Sequence, residues 1–178
     1  EDVEQTLATF LTGHQVRVAY FVHCAGYMKT YPLKMVSASL FQQTFNINVI
    51  SGALIIKTLM NRKLNGDTLK SVVLISSNIS NFGAKAFGVY GASKGAMDAL
   101  MRSLAVELAP KVRLNSVLPG GVRPTMTEHM YQDEELVKRM AATYPLGLGE
   151  ANDIYEVVNF LLSDKARWIT GQQCTVDG

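Results

Sequence analysis

Ser71-Val-Val-Leu-Ile-Ser-Ser77 and, thirteen residues after its last member, Tyr90-Gly-Ala-Ser-Lys94 form the stretch from which the rest of the chain is read. The first part is a short run of apolar, largely β-branched residues, and it reads as a buried strand ending in two serines. The second opens a segment with Met97, Leu100, Met101, Leu104 and Leu108 at helical intervals, stopping before Pro110. On such a helix Tyr90 and Lys94 stand one turn apart, ~6 Å along one face. A free tyrosine titrates near ~10, so proton transfer near neutrality needs the phenol lowered by ~3, about 4 kcal/mol in favour of phenolate. A neighbouring ammonium lowers it. Ser77, at the end of the adjacent strand, is placed to hydrogen-bond a substrate oxygen as charge develops there. A Tyr–Lys pair at this spacing is common by chance; its position after a strand ending in Ser76-Ser77 gives it weight.

Composition sets the bounds. A chain of 178 residues is long enough for one domain with a substantial core, and 48% apolar with 18% charged residues is globular. The net charge of +2 is dispersed and no run of like charge occurs, which argues against nucleic acid as a partner. No apolar run approaches the ~18 residues of a membrane helix. Cys24 and Cys174 form neither a disulfide framework nor a metal-ligand pattern, so a reducing cytoplasm is the expected compartment.

Working outward, residues 1–12 carry Val3, Leu7, Phe10 and Leu11 at helical spacing, with a stop at Thr12-Gly13-His14. Val16 to Val22 reads as a buried strand ending at His23-Cys24-Ala25-Gly26, where small residues let a ligand approach the backbone. After a loop over 27–36, Ser39 to Gln42 is a candidate capping box for a helix running to about Lys63. Asn46 and Asn48 lie inside that helix, and Asn48 is the stranger because it sits deeper in the apolar stripe. Val112 to Leu118 reads as a third strand, followed by the sharp turn Pro119-Gly120-Gly121-Val122. Residues 124–147 read as a flap over a site, Asn152 to Leu162 as an amphipathic helix, and Gln173 to Val176 as a last strand.

Strands alternating with helices predict an α/β fold: a doubly wound parallel sheet with helices on both faces and ligands at the carboxyl ends of the strands. Ala25-Gly26, Ser77 and Pro119-Gly120 each fall just after a strand, so the topology puts them on one rim.

With these motifs in place the chain resembles the short-chain dehydrogenases/reductases of the compact, single-domain, Rossmann-like type, over all 178 residues. The resemblance rests on Cys24-Ala25-Gly26, Asn48, Ser77, Tyr90 to Lys94, Val112 to Val117 with Pro119-Gly120, and Ile169 to Gly178 in that order. It implies hydride transfer between NAD or NADP and a small carbonyl or alcohol substrate. By the same resemblance Tyr90 exchanges the proton, Ser77 holds the substrate oxygen, and Lys94 lowers the phenol and binds the nicotinamide ribose. Asn48 holds a water that connects Lys94 to solvent. Ala25 and Gly26 pass the ribose, while Pro119, Gly120, Val122 and Thr125 line the nicotinamide. A homodimer or homotetramer is implied as well.

Three departures stand against the family pattern. No Gly-x-x-x-Gly-x-Gly turn for a pyrophosphate occurs in residues 1–23, so a longer natural N-terminus and missing N-terminal strands are expected. His23-Cys24 replaces the usual pair of asparagines; neighbours on a strand face opposite ways, so joint metal binding is not expected. Pro124-Thr125 stands where the threonine is commonly one position earlier, which leaves its carboxamide contact open. The competing reading is a non-catalytic relative acting as a binding or subunit-interaction module. Epimerisation or dehydration is a third, with little room for a separate substrate region.

Overall fold

The computed structural model describes residues 2–123 and 134–178. Its elements are α1 (Val3–His14), β1 (Tyr20–His23), α2 (Ala38–Phe45), α3 (Ser51–Leu59), α4 (Arg62–Asn65), β2 (Ser71–Ile75), α5 (Gly88–Leu108), β3 (Arg113–Pro119), α6 (Glu134–Ala141), α7 (Ala151–Leu162) and β4 (Gln173–Val176). The four strands are parallel in the order β1-β2-β3-β4, with His23 opposite Leu74, Ile75 opposite Val117 and Pro119 opposite Val176. All four carboxyl ends therefore share one rim.

Both faces of the sheet are covered. Successive strand residues point to opposite sides, so Val72 and Leu74 of β2 join Leu11, Ile56, Leu59, Met97 and Met101 in a core with α1, α3 and α5. Val73 and Ile75 turn to the other face, where Val158 and Leu161 of α7 pack. Arg113, at the start of β3, locks α7 by donating to the carbonyls of Leu161 and Ser163 at 2.6 and 3.0 Å, where the helix C-terminus carries partial negative charge.

Several boundaries differ from expectation, each for a physical reason. β1 is four residues long and partly exposed, with Tyr20 47% exposed, because among the described residues it pairs on one edge only. The helix expected from Ser39 to Lys63 is divided. Ser37, not Ser39, caps α2 by accepting from the Leu40 amide at 3.2 Å. A π-helical turn over Asn46–Ile50 then separates α2 from α3, and it carries Asn48. α1 runs through the expected stop to His14 and ends on Gln15 in the left-handed region.

Candidate active site

α5 sets the site. Gly88–Leu108 is a regular helix that packs on β3 and on the turn Asn78–Ser80 just after β2, and Lys94 is tied to the end of β2 through the Ile75 carbonyl and the Ser76 hydroxyl. Ser77 is the polar side chain that faces the Tyr90 phenol, and it opposes part of the rise in the phenol's pKa that partial burial causes. Ser77 is itself held by its backbone turn, where its hydroxyl accepts from the Ile79 amide at 3.3 Å. The Lys94 ammonium lies 5.6 Å from the centroid of the Tyr90 ring and donates to the Ile75 carbonyl at 2.7 Å. Burial pulls Lys94 down to about 8, against the opposing fields of Asp98 and then Cys24.

The expectation that Lys94 lowers the Tyr90 phenol is not the arrangement found. Here the ammonium is spent on a main-chain carbonyl, and desolvation leaves the phenol above its ordinary value. The site is therefore arranged with a protonated tyrosine, the form that donates a proton.

Asn48 is fully buried in the π turn, and its side chain is saturated by protein. Its Oδ1 accepts from the Tyr27 amide at 2.7 Å, and its Nδ2 donates to the Tyr27 carbonyl at 3.0 Å and to the Ser93 hydroxyl at 2.9 Å. The amide thus clamps the loop after β1 onto α5.

Ala25 and Gly26 lead out of β1 past Lys94; a Cβ on Gly26 would stand 4.0 Å from the Lys94 ammonium. Pro119 ends β3, and the Gly120 amide donates to the Val176 carbonyl at 3.0 Å. A Cβ at Gly120 would meet Asp177 at 2.6 Å, and one at Gly121 would meet Tyr144 at 2.7 Å, so only glycine fits at either position. Val122 bridges to Gly149, tying this turn to the segment before α7. Thr125 lies outside the described residues, as do residues 124–133 of the expected flap; its remainder contains α6 and the turn with Tyr144.

His23 is buried and Cys24 exposed, as opposite strand faces require. The His23 ring faces the carbonyls of Asn48 and Ile47, and burial holds its pKa below the usual value. Its Nε2 has no hydrogen-bond partner. Sequence reading missed three residues here. Tyr27 and Ser93 bond Asn48 through atoms that no spacing reveals. Asp98, by contrast, left a trace: a carboxylate beside Met97 on the apolar stripe, four residues after Lys94.

The comparisons agree with this geometry. A family model described as Enoyl-(Acyl carrier protein) reductase matches residues 1–178. A Vibrio cholerae protein, vibriobactin-specific 2,3-dihydro-2,3-dihydroxybenzoate dehydrogenase, is 33% identical over 175 residues, covering 91% of this chain and 66% of its own. The solved structure of a short-chain type dehydrogenase/reductase from Mycobacterium ulcerans superposes with a TM-score of 0.85 at 34% identity, covering 99% of this chain and 67% of that one. A 4-hydroxyisoleucine dehydrogenase mutant complexed with NADH and succinate superposes at 0.90 with 25% identity, covering 100% and 76%. The chain belongs to the short-chain dehydrogenase/reductase family. The matched stretches cover between 40% and 66% of the length of the curated relatives.

Proposed function

We propose that these residues form the proton-transfer and nicotinamide-facing part of an NAD(P)(H)-dependent oxidoreductase that interconverts a carbonyl and an alcohol. The arrangement that carries this reading is Tyr90 beside Ser77 at the end of β2, with the Lys94 ammonium 5.6 Å from the centre of the phenol ring. Two hydroxyls directed at one point suit a substrate oxygen: Ser77 donates to it, and Tyr90 gives it a proton as negative charge builds. The tyrosine is half-buried and its pKa is raised by that burial, so it stands protonated, which suits the reducing direction.

A nicotinamide nucleotide, when bound, supplies or accepts the hydride. The residues fit the ribose and nicotinamide half of such a group. Lys94 offers a cation beside the bare backbone of Gly26, and the Pro119-Gly120 turn lies on the same rim of the sheet. Nothing in residues 1–23 supplies a glycine-rich turn for the pyrophosphate half. Whether the nucleotide is NAD or NADP is a choice for residues outside those named here.

The substrate reading is a small, partly apolar carbonyl or alcohol compound, taken from Met140 and Tyr144 together with the expected flap residues. Assembly into a homodimer or homotetramer and a cytoplasmic location complete the proposal. The exposed Phe41 and Ile50 flanking the π turn are compatible with a subunit contact. No helix among the described residues is long and apolar enough to cross a membrane.

The test is a fluorescence titration of NADH and NADPH against this chain and against a form extended at its N-terminus by a glycine-rich βαβ unit. The proposal expects binding by the extended form and much weaker binding by the 178 residues alone. Absence of binding in both would favour the non-catalytic interaction module.

A further inference from the structure

We propose that Asp98 is a positioning residue that acts through Lys94: its buried carboxylate, one helical turn away, keeps the ammonium charged at the rim beside Gly26. The inference deepens the oxidoreductase reading and rests on it for its catalytic consequence, though not for its physical core. Asp98 lies one helical turn after Lys94 on α5, and the two residues are 1% and 3% exposed. Between them stands Ser76, whose hydroxyl donates to Asp98 Oδ2 at 2.9 Å and reaches the Lys94 carbonyl at 3.4 Å. The other oxygen, Oδ1, is buried without a hydrogen-bond partner. Lys94 is not within 4.0 Å of this carboxylate, but it is the only cationic side chain among the buried residues described, His23 being held towards its neutral form. At one helical turn the two buried groups lie within reach of each other's field.

Every element packed around Lys94 contributes to its field. β2 offers the Ile75 carbonyl, and the loop after β1 brings Cys24 and the backbone of Gly26. The end of β1 places His23 near enough to feel the ammonium, and α5 itself supplies Tyr90 and Asp98. Of these, Asp98 exerts the largest pull towards the charged form, opposing the burial that brings Lys94 to about 8. Without it the ammonium would be lost nearer to neutrality, and with it the charge beside the phenol and ribose.

The experiment is an NMR titration of lysine labelled with carbon-13 at Cε, with the Lys94 signal assigned by its absence in Lys94→Arg. It needs no nucleotide and no turnover. The wild-type midpoint is expected at about 8. Asp98→Asn, which keeps the shape, is expected to lower it by about 1 or more, a roughly tenfold loss of ammonium above the new midpoint. Ser103→Ala, on the exposed face of the same helix, leaves Asp98 and its Ser76 partner in place, so the midpoint stays within about 0.3 of wild type. If Asp98→Asn does not fold, Asp98→Ser carries the same comparison. An unchanged midpoint in a folded Asp98→Asn or Asp98→Ser protein overturns the proposal. In an active, nucleotide-binding form the alkaline limb of the pH–rate profile should move down by the same interval. A midpoint shift in a protein that catalyses nothing would support the Asp98 role while counting against the oxidoreductase reading.

Discussion

The Lys94 ammonium lies 5.6 Å from the centre of the Tyr90 ring and gives its hydrogen bond to the Ile75 carbonyl, not to the phenol. One turn of α5 separates the two residues, so their approach follows from helix geometry alone. What the helix does not dictate is the partner of the cation. That is supplied by β2, whose last carbonyl reaches the ammonium at 2.7 Å.

Burying that cation has a measurable consequence for stability. Lys94 titrates at about 8 in the fold against an ordinary 10.5, so between these values the unfolded chain binds the extra proton. The cost of holding the ammonium is complete below pH ~8 and is relieved as pH rises towards ~10.5, amounting to about 3 kcal/mol at most. Urea unfolding of wild type and Lys94→Met should therefore show wild-type stability gaining on the variant across that window. Parallel curves would contradict the burial.

Asn48 holds the loop after β1 through Tyr27 and holds α5 through Ser93. Asn48→Ala leaves the half-buried amide and carbonyl of Tyr27 without their partner, and should cost about 2–3 kcal/mol by the loss of three hydrogen bonds, the one to Ser93 being fully buried. Hydrogen exchange at the Tyr27 amide should accelerate along with the drop in urea midpoint. A variant as stable as wild type would mean that the clamp is not formed in solution.

The π turn shows where sequence reading stops. β2, α5 and β4 were legible because each shows a clean period, and β4 was found with its bounds intact at Gln173–Val176. Asn48 stood out as misplaced in an apolar helix, but an irregular turn and a kink leave the same trace in sequence. β1 came out shorter and more exposed than its β-branched run implied, since burial depends on neighbouring strands that spacing does not reveal. The rim motifs Ala25-Gly26, Ser77 and Pro119-Gly120 were legible for the opposite reason: parallel topology alone places them together.

His23 fills the notch that Gly52 leaves in α3. A Cβ on Gly52 would meet the imidazole Cδ2 at 2.9 Å. Gly52→Ala should thus destabilise the wild type by about 1–3 kcal/mol and be nearly neutral, or helpful to the helix, in a His23→Asn background. A double-mutant cycle by thermal unfolding measures the difference. Additive effects would show that ring and notch are not coupled.

At the turn after β3, Gly120→Ala puts a Cβ 2.6 Å from Asp177 Cβ and 2.8 Å from its Cα. Main chain must move, and a loss of about 1–3 kcal/mol is expected. Gly13→Ala, in α1 with nothing within 4 Å, should instead gain about 0.5–1 kcal/mol. Equal effects at the two glycines would argue against the close packing of the turn on β4.

The most direct test is Tyr90→Phe in a form that binds the nucleotide. The change removes the proposed proton donor while keeping the ring against Phe87, whose centroid is 6.2 Å away. The measurement is single-turnover oxidation of NADH or NADPH by a carbonyl substrate, with nucleotide affinity and unfolding midpoint determined on the same sample. Turnover should fall by about 10²–10⁴-fold with affinity and stability close to wild type. A folded variant that retained most of its turnover would show that Tyr90 is not the proton donor.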